Sequence, residues 1–349
     1  MTEQSDIDII KQRKLDGLVI PLSKEVQAKT TSTYLEYVTL IHNALPELDF
    51  DGIDTSTTFL NHRFSAPLII DSMTGGTPEA SKINQRLAET AEALGLGMGL
   101  GSQRAGLKSK ELAETYSIAR EHAPNAFLIA NIGGAQLAKG LSIDEAKQIV
   151  DMIKANALVV HLNPLQELVQ PEGEPKFKGV FNKIAELVKS LSVPVIVKEV
   201  GSRLEFAGVK AINVAGSGGT SWAGVEKLRA ESAGSELKTH LGEMFWDWGI
   251  PTAASLIEVR RAVNLQLVAS GGLRNGLEVA KCLTIGADMC AMALPFLKQA
   301  AISKEAVMQF ADLLLSELKS TMYLVGAKDI KTLKTSRHVL TGALAEWFK

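Results

Sequence analysis

Cysteine is scarce in this chain: two in 349 residues, Cys282 and Cys290, with no CxxC spacing between them. A disulfide scaffold is excluded, and a reducing compartment is the expected home. Neither sign of charge is in excess, since 37 basic residues against 39 acidic ones leave a net charge of −2. No global basic field draws the chain to nucleic acid. No apolar run approaches the roughly 18 residues that a membrane span needs. The opening Met1–Asp8 carries acid where a secretory signal would carry base, so a soluble cytoplasmic protein is expected. Several catalytic signatures are missing too. There is no GxSxG elbow for an acyl-transfer serine. His161 has no second histidine at metal-ligand spacing, which disfavours zinc. No GxGxxG opens a strand–helix unit in the first 60 residues, as a dinucleotide-binding fold needs.

What is present is a globular composition, 46% hydrophobic and 22% charged, which rules out disorder as a whole-chain reading. Short apolar runs recur along it: Ala66–Asp71, Leu96–Gly101, Ala126–Asn131, Ala157–Leu162, Val193–Val200, Ala211–Ala215, Gln266–Ser270 and Asp288–Ala291. Each is nearly continuous in apolar character, as strands buried on both faces of a parallel sheet must be. Helical patterns lie between them. Thr77 and Pro78 open one that Gly95 ends, and Ser142 with Glu145 has capping-box spacing. Lys108–His122 and Val180–Leu191 are also helix-like. Eight βα units predict a closed (β/α)8 TIM barrel, an α/β fold, with a doubly wound open sheet as the alternative. The chain is read as one domain: a cap over one barrel mouth (1–65), the barrel (66–297) and C-terminal helices (298–349). A long insertion, about Gly216–Leu265, follows strand six and holds three of the four tryptophans.

In such a barrel, chemistry sits at the C-terminal ends of the strands. Ser72-Met73-Thr74-Gly75-Gly76 follows strand one, and Ser102-Gln103-Arg104 follows strand two. Asn131 ends strand three, His161-Leu162-Asn163-Pro164-Leu165-Gln166-Glu167 strand four, and Lys198 strand five. Gly218-Gly219-Thr220 follows strand six, Gly271-Gly272-Leu273-Arg274 strand seven, and Ala291-Met292 strand eight. The glycine pairs permit tight turns. Taken together they also suit an anion nest after strands six to eight. Lys198 reaches solvent or, if turned inward, stabilises an anion over the barrel, of which a reduced flavin is one. Asn131 and Ser102 could hydrogen-bond a planar heterocycle or serve the turn. Arg104, at a strand end, is a better anion ligand than Arg13-Lys14, which on composition is a surface charge run.

The strings HNALPE, SMTGG, GSQRA, HLNPLQE with QPEG, VPVIVKE, GGTSW, WDWGIPTA, ASGGLRNG and MALPFLK are spread from His42 to Lys298. With these strings the chain resembles the type 2 isopentenyl diphosphate isomerases, FMN-dependent barrels of the isoprenoid pathway. The resemblance implies FMN contacts at Ser72, Met73, Thr74, Ser102, Asn131, Lys198 and Thr220. It implies the flavin phosphate site at Gly271, Gly272, Arg274, Ala291 and Met292. Arg13, Lys14 and Arg104 are implied as ligands of the substrate diphosphate, with His161 and Asn163 as its neighbours. Gln166 is implied to face the reacting carbons, and Glu167 to anchor Mg2+. Reduced FMN, NADPH as reductant, Mg2+ and a homotetramer or homo-octamer complete what is implied. A neutral amide is a poor acid or base, so proton transfer is expected of the flavin, with Gln166 orienting it.

The chain departs from the family in two places. Gly17 stands where members carry a histidine three residues after the lysine, and the link Gly201–Lys210 between strands five and six is short. Two competing readings remain. An α-hydroxy-acid oxidase has a similar flavin site but carries a His-Gly-x-Arg element after strand seven. A non-catalytic flavin-binding protein is the second.

Overall fold

The computed structural model describes residues 3–199 and 207–349, with residues 3–9 as backbone alone. Its centre is a closed barrel of eight parallel strands: β1 (Leu68–Ile70), β2 (Gly97–Gly99), β3 (Phe127–Gly133), β4 (Ala157–His161), β5 (Val195–Lys198), β6 (Ala211–Ala215), β7 (Gln266–Ser270) and β8 (Met289–Met292). They follow one another around the ring in chain order, and β8 closes on β1 with Ala291 opposite Ile69. That pairing excludes the open sheet. Several strands are shorter than the apolar runs that contain them, because flanking residues such as Ala66 and Leu96 are buried without joining the ladder. Val200 and most of the link Gly201–Lys210 lie outside the described residues.

Alternation along each strand sorts the side chains into two layers. Ile69, Ile129, Val159, Ile196 and Val268 fill the ring, while Leu68, Ile70, Leu128, Leu158 and Val160 face the surrounding helices. The helices start and stop where their caps dictate. Thr77 accepts from Ala80 N at 3.2 Å to open Pro78–Leu94, and Gly95 ends it at φ 61°. Ser142 and Glu145 exchange two hydrogen bonds, of 2.8 and 3.1 Å, to open Ile143–Met152. The insertion after β6 holds three helices, Trp222–Ser232, Glu236–Met244 and Thr252–Ala262. Among the described residues, no helix is long and apolar enough to cross a membrane.

The first 65 residues do not cap one mouth; they divide between both. The hairpin of strands Thr57–Phe59 and His62–Phe64 closes the end where the strands begin, placing Phe59 and Phe64 in the inner cluster and Leu60 N 2.9 Å from Gln266 Oε1. The helix Glu3–Ser23 and the segment after it lie over the opposite mouth, where Ala28 N donates to Gly219 O at 2.8 Å. Strand Val38–Leu40 pairs antiparallel with His338–Leu340, so the two terminal segments are tied to each other.

Candidate functional site

The C-terminal ends of the strands surround a cavity of about 530 Å3. Arg13, Lys14, Ser72, Met73, Thr74, Ser102, Asn131, His161, Asn163, Gln166, Lys198, Thr220, Gly271, Gly272, Arg274, Ala291 and Met292 all line it. Arg104 and Glu167 do not. Arg104 falls in the 3-10 turn Gln103–Leu107, near enough to Arg13 for their charges to repel, and Glu167 accepts from Glu174 N at 3.3 Å.

On one wall the strand ends are cross-linked. Lys198 Nζ lies 2.7 Å from Asp71 Oδ2, and Asp71 Oδ1 accepts from Ser72 N at 2.8 Å. Asn131 Nδ2 donates to Leu100 O at 3.0 Å, which turns its Oδ1 toward His161 Nδ1 at 2.7 Å. His161 therefore carries its proton on Nδ1. Burial, followed by the positive charges of Lys198, Lys14 and Arg13, pushes its pKa down to about 3, so the ring is neutral in the working range.

On the next wall Asn163 takes the left-handed conformation, φ 41° and ψ 63°, and caps the helix Pro164–Val169. Asparagine tolerates this conformation because its short amide bonds locally. Its Oδ1 accepts from Gln166 N and its Nδ2 donates to Gln166 Oε1, both at 3.1 Å. Gln166 Nε2 then donates to Glu226 Oε1 at 2.7 Å, so the amide is held in one sense from both ends. Glu226 is 2% exposed, and burial pushes its carboxyl up, opposed first by Arg229 and then by Gln166.

Positive charge gathers at the mouth. Burial, then Arg13 and Arg104, lower the Lys14 pKa to about 7. Its ammonium donates to Ser102 O at 2.7 Å, which also accepts from Tyr116 Oη at 2.9 Å. Tyr116 explains the glycine pair after β1, since a Cβ on Gly75 would sit 1.9 Å from its ring. On the far side the turns after β6 and β7 touch through backbone. A Cβ on Gly271 would meet Gly216 O at 2.0 Å, and one on Gly272 would meet Thr33 Cγ2 at 2.4 Å. Gly271 and Gly272 have φ of 101° and 80°, which glycine alone adopts easily. The helix Leu294–Ile302 starts at this edge, with Ala293, Leu294 and Pro295 on the cavity wall.

Residues 145–340 match the FMN-dependent dehydrogenase family. The isopentenyl-diphosphate delta-isomerase of Methanothermobacter thermautotrophicus is 44% identical over 97% of this chain and 96% of its own length. That of Nostoc sp. is 45% identical over 95% and 96%. The chain belongs to the isopentenyl-diphosphate delta-isomerase family. Among solved structures, a mandelate oxidase variant with a monooxide FMN adduct superposes with a TM-score of 0.65, covering 96% of this chain and all of its own, at 16% identity. That likeness shows the fold.

This member of the isomerase family offers FMN suitable partners. Thr74 Oγ1 and Ser217 Oγ, both on cavity residues, are buried without a hydrogen-bond partner among the described residues. With the glycine turns and a helix N-terminus on one side, this donor set fits a phosphorylated heterocycle. Sequence reasoning missed Asp71, Tyr116, Glu226 and Arg229. Asp71 had a signal, as a charged residue that, like Lys198, ends an apolar run. Glu226 and Arg229 carried no signal, since a glutamate and an arginine three residues apart on a helix are a common exposed pair.

Proposed function

We propose that the chain converts isopentenyl diphosphate to dimethylallyl diphosphate with reduced FMN bound in the barrel mouth. One observation carries this reading: Arg13 and Lys14 concentrate positive charge on the cavity wall, and the charge of Arg104, off that wall, acts on both. Two phosphoryl groups would neutralise that charge. Thr74, Ser102, Asn131, Lys198 and Thr220, with Ser72 and Met73, would hold the flavin ring. Gly271, Gly272, Arg274, Ala291 and Met292 would hold its phosphate.

Reduced FMN, when bound, supplies the proton donor and acceptor that moving a double bond requires. The protein's part is positioning. Asn163 and Glu226 lock the amide of Gln166 from its two ends, so it presents a fixed dipole to the reacting carbons. A neutral His161 beside Asn131 adds polarity without a charge that would have to be desolvated against hydrocarbon. Lys14 and Arg13 anchor the diphosphate end.

Glu167 would hold Mg2+ together with the substrate by releasing Glu174 N and turning into the cavity, which it does not line in this structure. One carboxylate suffices for a cation that fills its remaining positions with water and phosphate oxygens. NADPH is proposed as the reductant of the flavin, in a cytoplasmic homotetramer or homo-octamer. The oxidase reading is disfavoured because Ser270-Gly271-Gly272-Leu273-Arg274 contains no histidine to act as base.

The test is to purify the protein, record its flavin spectrum, reduce it anaerobically with NADPH and add isopentenyl diphosphate with Mg2+. Dimethylallyl diphosphate should accumulate without net oxidation of the flavin. Bound flavin with no product would favour the non-catalytic reading, and oxygen consumption with a 2-hydroxy acid would favour the oxidase.

A further inference from the structure

Arg229, on the helix Trp222–Ser232, is the meeting point of three carboxylates from three parts of the chain. Its Nε donates to Asp16 Oδ2 at 3.1 Å, on the helix Glu3–Ser23 that carries Arg13 and Lys14. Its Nη1 and Nη2 donate to Glu172 at 3.3 and 2.8 Å, in the segment that follows the Gln166 helix. Nη1 also donates to Glu226 Oε2 at 2.6 Å, one turn away on its own helix. All three nitrogens of the guanidinium are engaged, and the side chain is 9% exposed.

Each carboxylate leads on to the cavity. Glu226 uses its other oxygen to hold Gln166 Nε2 at 2.7 Å. Glu172 Oε1 lies 3.8 Å from Arg13 Nε. Asp16 sits two residues from Lys14 on the same helix. The planar fork of arginine reaches three acceptors in fixed directions, which a lysine ammonium on a flexible stem does not reproduce. We infer that Arg229 is a positioning residue that couples the seating of the N-terminal helix over the diphosphate to the orientation of the Gln166 amide. The inference rests on the isomerase reading for what the two ends do, but the clamp itself is read from these contacts.

The chemistry at Glu226 follows. As a carboxylate it accepts from Gln166 Nε2; since Oε2 accepts from Arg229, a proton would sit on Oε1, which would then donate and favour the turned amide whose oxygen accepts. Arg229 is the nearest positive charge opposing that protonation, with Arg13 beyond it, while burial favours it. Helix seating and amide sense are therefore linked through one guanidinium.

The test compares Arg229→Lys and Asp16→Asn with the wild-type holoenzyme. Arg229→Lys should raise KM for isopentenyl diphosphate and lower kcat, each at least tenfold, with FMN affinity within twofold of wild type. The acid limb of its kcat profile should move to higher pH, because Glu226 then protonates more easily. Asp16→Asn and Glu226→Gln should combine non-multiplicatively. Unchanged KM and kcat in Arg229→Lys, or losses that follow FMN content and Tm with no shift of the acid limb, would overturn the clamp. So would strictly multiplicative effects of the two carboxylate variants. If Arg229→Lys does not fold, the Asp16→Asn and Glu226→Gln cycle decides. Inorganic pyrophosphate binding to the FMN-loaded protein, measured calorimetrically, separates the clamp from the function. It should weaken at least fivefold in Asp16→Asn even if the wild type turned over no isopentenyl diphosphate, and unchanged binding overturns the clamp.

Discussion

Lys198 Nζ and Asp71 Oδ2 are 2.7 Å apart on the wall of the cavity, so the lysine that ends β5 is balanced by the carboxylate that follows β1. The pair is mostly shielded from water, with 19% and 8% of the side chains exposed. Lys198→Ala is expected to weaken FMN binding by about 1.5–3 kcal/mol, roughly 10- to 150-fold in Kd. It would also leave the Asp71 carboxylate unpaired beside an anionic reduced flavin, which lowers the reduction potential. Asp71→Asn removes the balancing charge instead and should raise that potential. Spectroelectrochemical titration of both variants checks this. Shifts of the same sign, or none, would return the pair to a purely structural role.

Gln166→Leu is expected to keep FMN bound and to lower kcat more than it raises KM. The amide is held at both ends, so its loss removes an oriented dipole from the transition state and strands Glu226 Oε1 in a buried setting. The expected loss in kcat is at least about tenfold, the weight of one hydrogen bond to a charged or reacting group. Steady-state kinetics with an FMN titration decides; a variant with near-normal kcat would remove Gln166 from the mechanism.

The pH dependence of substrate binding should follow Lys14. Its pKa of about 7 is depressed by burial and by its cationic neighbours. A bound diphosphate favours the ammonium, so the pKa rises on binding. Below pH 7 the group is charged in both states and KM is flat. Above pH 7 binding must take up a proton, and KM should climb by up to about tenfold per pH unit until the bound-state pKa is reached. Lys14→Arg, always charged, should flatten the profile. A slope that survives in Lys14→Arg would assign it to another group.

Gly17, in the interior of the helix Glu3–Ser23, lines the cavity, and a Cβ added there meets nothing within 4 Å. Gly17→His therefore meets no obstacle at its Cβ and gains about 0.5 kcal/mol or less of helix propensity. It adds a polar ligand near Arg13 and Lys14. KM for isopentenyl diphosphate is expected to fall at least several-fold while FMN affinity stays the same. An unchanged KM, with activity also intact after deletion of residues 1–17, would mean that this helix takes no part in the site.

The strand ends were legible because a strand buried on both faces is a run of apolar residues, and polar residues after it mark the mouth. Thr74, Asn131, His161 and Lys198 were found this way. The hairpin Thr57–Phe64 was not, since its strands are three residues each and its aromatic side chains serve the barrel floor. Arg104 follows β2 as expected, yet the 3-10 turn carries its side chain off the cavity wall.

By itself the sequence determined the eight buried strands, the βα rhythm that favours a barrel and which residues follow each strand, because burial and βα periodicity are written locally along the chain; the pairing of β8 with β1 decided that the sheet closes. The sequence also determined that glycines follow β1, β6 and β7. Only the tertiary structure decided what those glycines accommodate, namely the Tyr116 ring and the backbone of the neighbouring turn. It also decided who partners whom among the charges. Asp71 meets Lys198, 127 residues away, and Arg229 meets Asp16, 213 residues away. Coulomb attraction and hydrogen bonding act through space over a few ångströms, so partners so distant in sequence are brought into contact by the closure of the ring and the seating of the N-terminal helix, not by any local pattern.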